Sequence, residues 1–245
     1  MRFTSSRLKI ERANKHIADI YAAVRTLPDR YTATVEVNPQ TGNEVIKHDL
    51  SDGNTITTDL ALMIGDAIHN LKCALDYAWI GTIERFVPSA LDSSTKFPVR
   101  PTKDELESAL RGRKIDTAAP TLFELVVSNI KPYQGGDHSI WSVHTLDILD
   151  KHRLLIPVLE FAGVDGIELE NERGETSNGF TWGTDQKPPY YIPIEVGWRI
   201  KNKGHVSVAV LFDERTPAYL MDAPDLLSTF AKVVLNVVEL LEGLI

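Results

Sequence analysis

The chain has 245 residues, of which 43% are hydrophobic and 24% charged, and 26 Lys+Arg against 34 Asp+Glu give a formal net charge of −8. A chain of this length buries roughly 70% of its unfolded surface, enough for a real core, and its composition excludes disorder, collagen and low complexity. The one cysteine, Cys73, excludes an intrachain disulfide and any zinc site built on several thiolates.

The opening residues reach charge before any apolar run long enough for a secretory leader, so no signal peptide is expected and the reading is cytoplasmic. No apolar run approaches the roughly 20 residues that span a bilayer, so no membrane association is expected. An acidic chain without a long basic block disfavours nucleic acid as a partner. Short basic clusters do occur, at Arg111, Arg113 and Lys114 and at Lys151, His152 and Arg153, and read first as solvated surface.

In chain order, Ser5 to Leu27 carries Ile10, Ala13, Ile17, Ile20 and Val24 three and four apart, which predicts an amphipathic helix ended by Pro28. Arg12, His16 and Asp19 lie on its flank and read as a solvent-facing ion-pair row. Tyr31 to Val37 and Glu44 to Leu50 alternate around Asn38, Pro39, Gly42 and Asn43, which predicts a hairpin. Thr57 to Phe86 is apolar nearly all round and belongs in the middle of a bundle. Thr102 with Glu105 opens a short helix through Leu110, a linker with Gly112 follows, and helices are expected over Ala119 to Ile130 and Ser139 to His152.

After Arg153 the pattern changes to short strand-like runs, Leu154–Phe161, Gly166–Asn171, Phe180–Trp182, Tyr190–Ile200 and His205–Phe212. They predict an antiparallel meander, before Asp222 caps a final amphipathic helix that returns to the core. The expected fold is one α+β domain over 1–245: a helical bundle core with a hairpin insertion (31–50), a strand-rich part (154–221) and a last core helix (222–245).

Two polar stripes stand out. Asp66, His69, Cys73 and Asp76 follow one another at three, four and three on the central helix, and His144, Asp147 and Lys151 do so at three and four on the helix ending at His152. Packed antiparallel, these helices would set an Asp-x-x-His pair against a His-x-x-Asp pair. Asp66, His69, His144 and Asp147 then form a candidate metal set of a kind that suits zinc, manganese or iron, with Asp19 and Glu239 the nearest further carboxylates. The same groups, with Asp76, Lys151 and His152, also make a candidate metal-free acid–base cluster, and a buried network that only ties helices together satisfies them equally well. Cys73 reads as a small buried hydrophobe.

The segments GDAIHNLKCALDY (Gly65 to Tyr77) and HTLDILDKHR (His144 to Arg153), with ERANKHI (Glu11 to Ile17) and YQGG (Tyr133 to Gly136), resemble an uncharacterised bacterial protein family with an HNLRSALD-like helix and a DKHR-like helix end. That resemblance singles out His69, Asn70, Asp76, Asp150, Lys151, His152 and Arg153, with Lys72 in place of an arginine, and implies no particular chemistry. A second resemblance, to the HEPN superfamily of helical ribonucleases found in toxin and defence systems, rests on Arg/His pairs. Arg12 with His16 and Arg199 with His205 are the nearest candidates, and neither has the required spacing on one helix.

No dinucleotide, phosphate-loop, His-Glu-x-x-His or nucleophile-elbow motif is present. Two readings follow. One is a metal-assisted or acid–base hydrolase with its site between the helices, its substrate not named by the sequence. The other is a non-catalytic binding or assembly module that uses the strand-layer aromatics Trp182, Tyr190, Tyr191 and Trp198. A small molecule, a protein or a second copy of the chain stays open as the partner.

Overall fold

A computed structural model describes residues 3–50, 53–155, 157–182 and 190–245. Among these residues the chain forms seven α-helices and two three-stranded antiparallel sheets, the mixed α+β architecture that the sequence predicts.

The middle of the helical layer is α2 (Gly53–Phe86). Leu60, Ala61, Ile64, Ala67, Ile68, Leu71, Ala74, Leu75, Ala78, Trp79 and Ile83 are all buried along it. They occupy most of its circumference, and the alanines among them admit neighbouring helices closely. Three helices cover it: α1 (Thr4–Thr26), α6 (His138–His152) and α7 (Ala223–Glu242). The α1 stripe Ile10, Ala13, Ile17 and Ile20 and the α7 stripe Leu227, Phe230, Val234, Val237, Val238 and Leu241 face this core. Side chains cap three helix starts: Thr102 accepts from the Glu105 amide at α3 (Lys103–Gly112), Asp137 from Ile140 at α6 and Asp222 from Asp225 at α7. Among the described residues no helix is long and apolar enough to cross a membrane.

The stretch expected as one helix over Ala119 to Ile130 is divided. A turn of helix, α4 (Ile115–Ala118), precedes it, α5 covers Pro120–Glu124, and Leu125–Ile130 is wound as a π-helix. The wider π winding brings Val126, Val127 and Ile130 into the core, and left-handed Lys131 ends it.

The hairpin has the expected ends, β1 (Tyr31–Val37) and β2 (Glu44–Leu50), paired from Tyr31↔Leu50 to Val37↔Glu44. The strand-rich part is antiparallel but does not stay in one sheet. β3 (Val158–Asn171) lies between β4 (Thr176–Trp182) and β6 (Trp198–Leu211), while β5 (Tyr190–Pro193) joins the hairpin beside β2. A smaller core of Tyr31, Ile46, Val164, Ile167, Leu169, Ile192, Ile194 and Val206 draws on both sheets, and Leu50 and Val208 also touch the helical core.

Candidate functional site

The two polar stripes meet in antiparallel order. Rising along α2, Gly65 lies against Asp150, His69 against Asp147, and Lys72 and Asp76 beside His144. The contacts differ from those a four-ligand site needs. The Asp147 side chain is 3% exposed and both its oxygens are occupied: Oδ1 accepts from Nδ1 of His69 at 2.9 Å and Oδ2 from Nζ of Lys151 at 2.5 Å. Asp66 faces solvent, as does Asp19, and Glu239 sits near Arg7. Among the described residues no three His, Cys, Asp or Glu side chains form a group that could hold a metal ion. The expected set Asp66, His69, His144 and Asp147 is therefore not assembled: Asp147 joins His69 and Lys151 in a hydrogen-bonded chain, with Asp66 outside it.

The α2 stripe is likewise not a buried row. Leu62, at its start, is 52% exposed, whereas Asn70 and Lys72, one step round on either side of the stripe, are buried, as is Thr82 near the end of the helix. Nζ of Lys72 donates to Oδ1 of Asp76, and the same oxygen accepts from the backbone amide of Phe97 at 2.8 Å. Asp76 thus pins the segment after α2 to the helix. His16 on α1 is buried instead of forming a solvent-facing pair, and Arg12 beside it is exposed. Arg199 and His205 both lie on β6.

These groups line a cavity of about 450 Å³. α2 contributes Lys72, Asp76 and Trp79, the segment after it Lys96, Phe97 and Arg100, the end of α3 Leu110 and Arg113, and α6 His144, Asp147, Ile148 and Lys151. His144, Asp76 and Lys151 of the expected acid–base set are brought together there. His69 stands behind Asp147, and His152 is exposed and takes no part in the lining. Lys96, Arg100 and Arg113 were not legible as site residues, and the only sequence signal for one of them was the short basic cluster at 111–114, read as surface. Arg113 in fact donates to the carbonyl of Ala90 at 2.6 Å and to Oγ of Ser94 at 3.1 Å.

Burial, and after it the nearby Lys72 ammonium, hold the imidazole of His144 down at about 4, so it is neutral at physiological pH. Its Nδ1 is buried with no hydrogen-bond partner among the described residues. Cys73 is half-buried, with Sγ 3.4 Å from Nε2 of His69, and burial pushes its thiol up. It is thus a protonated thiol against an imidazole that Asp147 orients, and not the plain hydrophobe expected.

Asp150 packs on Gly65 so closely that a Cβ built there would lie 2.5 Å from Oδ1, and that oxygen is buried without a hydrogen-bond partner among the described residues. Burial raises the Asp150 pKa, and the Asp147 and Asp66 carboxylates add to it. The folded state therefore binds this proton more tightly than the unfolded chain. That stabilisation is complete below the ordinary value of 3.8 and is lost as pH climbs through the raised folded value, leaving a strained carboxylate at neutral pH. Asp150→Asn is expected to raise the Tm at neutral pH, by a margin that shrinks as the buffer approaches pH 3.8. A Tm unchanged across that range in thermal melts would show that the carboxylate carries no such cost.

Of the strand-layer aromatics, Tyr191 is exposed while Trp198 is partly covered and lines a mainly apolar cavity of about 330 Å³ with Ile167, Leu169 and Ile192. The side chains of Trp182 and Tyr190 lie outside the described residues. Comparison with known proteins returns no match, whether to a family model, a curated protein or a solved structure.

Proposed function

We propose that the cavity between α2, α6 and the 94–100 segment is the active site of a cytoplasmic acid–base enzyme of hydrolytic type. The observation that carries this reading is the neutral imidazole of His144, whose buried Nδ1 has no hydrogen-bond partner among the described residues, in a cavity that also holds an ammonium, Lys72, and two carboxylates, Asp76 and Asp147. A neutral imidazole takes a proton from water; fixed cations stabilise the negative charge that the attack develops. Beside burial, Lys72 and Arg100 both depress the imidazole. A negatively charged substrate offsets those two charges and so raises the affinity of the imidazole for a proton. Asp76 positions Lys72, and Asp147 positions Lys151, through the hydrogen bonds described above. His69 acts one step further back, by holding Asp147.

The test is hydrolysis of 4-nitrophenyl phosphate and 4-nitrophenyl acetate by the parent chain and by His144→Gln. Turnover of at least one ester is expected, falling about 100-fold or more in the variant while its melting temperature is kept. No turnover by the parent, or equal turnover by both, would overturn the hydrolytic reading.

A further inference from the structure

Resting on that reading, we propose that the substrate is a small phosphomonoester and that Arg100 and Lys96 grip its phosphate. The chain carries a net charge of −8, yet the cavity is lined by five cations, Lys72, Lys96, Arg100, Arg113 and Lys151, against two carboxylates, Asp76 and Asp147. Those carboxylates pair with Lys72 and Lys151. Arg113 has its own partner just outside, Asp92, at 3.4 Å. Two cations then remain over. Lys96 has no ion pair among the described residues, and the guanidinium of Arg100 donates only to the carbonyl of Val99 there, at 2.8 Å. Both side chains belong to exposed residues of the segment that Asp76 ties down through the Phe97 amide. They are therefore held at the rim without being consumed by internal pairing.

An excess of two positive charges matches the charge of a phosphomonoester near neutral pH, about −1.5 to −2. A guanidinium presents a planar fork of donors that suits phosphate oxygens in pairs, and an ammonium supplies a compact second charge. The remaining lining is partly apolar: Phe97 and Ile148 offer a wall for the organic part of the ester. A cavity of about 450 Å³ lies toward the lower end of the range for small-molecule sites. It accommodates one phosphate with a small body and not a length of polynucleotide, whose capture the acidic surface of the chain also opposes.

The reaction that follows is balanced without a further reactant. The oxygen of water bonds to phosphorus and the ester P–O bond breaks. One water proton passes by way of His144 to the departing alkoxide and the other stays on the product, giving an alcohol and hydrogen phosphate.

Calorimetric titration of the full chain with inorganic phosphate and with phenyl phosphate tests the assignment. Phenyl phosphate is expected to bind with phenol inert at the same concentration, and Arg100→Ala and Lys96→Ala each to weaken phosphate about 10-fold, which is about 1.4 kcal/mol. Arg111→Ala, whose exposed side chain pairs with Glu107 outside the cavity, is expected to bind like the parent. His144→Gln keeps the cations and is expected to hold phosphate within about threefold of the parent. Phosphate binding without turnover in either chain would sink the hydrolytic reading and leave the anion site standing. Absence of phosphate binding, binding indifferent to Arg100 and Lys96, or binding of a single-stranded oligonucleotide in preference to phenyl phosphate would overturn the phosphomonoester assignment.

Discussion

Trp79→Ala is expected to lower stability by about 3–5 kcal/mol, a shift in Tm on the order of 10 °C, and to weaken phosphate binding as well. Trp79 is 1% exposed and its ring meets Phe97 edge-on, with centroids 5.9 Å apart and planes at 82°. The lost side chain leaves a void in the packed face of α2 that neighbouring helices fill only in part, which is why a large aromatic costs more than the area it buries. The same ring supports Phe97, whose amide donates to Asp76, and the segment so fixed carries Lys96 and Arg100. Loss of the ring therefore reaches the cations through the backbone. Phe230→Ala separates the two effects: Phe230 is equally buried, on α7, and does not line the cavity. Urea denaturation is expected to rank both variants alike. Calorimetry at a temperature where both are folded is expected to show weakened phosphate binding in Trp79→Ala alone. Equal affinities would mean that the segment keeps its place without the tryptophan.

The parts of the fold that were legible in the sequence are those fixed by neighbours a few residues away. The hairpin ends, the Thr102 and Asp222 caps and the apolar faces of α1 and α7 follow from turn chemistry and periodicity. The strand layer was misread where glycine does something other than end a strand. Gly166 and Gly204 both have positive φ, and β3 and β6 run straight through them as one pair of long, bulged strands. A Cβ at Gly204 would lie 2.6 Å from the carbonyl oxygen of Asp165, so that glycine serves close approach and not a turn.

The candidate site was half legible for a similar reason. Helical spacing located His144, Asp147 and Lys151, and it placed Asp76 beside them. It assigned burial to the wrong row of α2, because on a helix apolar nearly all round the sequence does not say which side its partners leave open. Lys96, Arg100 and Arg113 come from irregular chain between prolines and from the end of a short helix, where no period exists to read. Their placement depends on long-range hydrogen bonds, from the Phe97 amide to Asp76 and from the Arg100 amide to the carbonyl of Pro132, and on the Arg113 contacts to Ala90 and Ser94.

Asp147→Ala is expected to cost about 2–3 kcal/mol, less than a fully buried ion pair because its partners reach solvent. Deleting one member of a fully buried ion pair costs about 3–5 kcal/mol, because a charge is stranded away from water. Here the carboxylate is the buried member, and the side chains of His69 and Lys151 are 49% and 52% exposed, so both recover water when it goes. What remains is the loss of two hydrogen bonds to a charged group and a small void on the buried side of α6, offset by the carboxylate's own desolvation. The Lys151 bond is an i,i+4 contact near the surface and is worth only about 0.3–0.5 kcal/mol. The His69 bond joins α2 to α6. Double-mutant cycles are therefore expected to give a larger coupling for Asp147 with His69 than with Lys151. A reversed order would place the weight on α6 alone and not on the tie between helices. The same substitution removes one of the two carboxylates lining the cavity, so Asp147→Ala is expected to bind inorganic phosphate more tightly than the parent while turning over ester more slowly. Weaker phosphate binding in a folded Asp147→Ala chain would mean that orienting Lys151 matters more to the anion than the net charge around it.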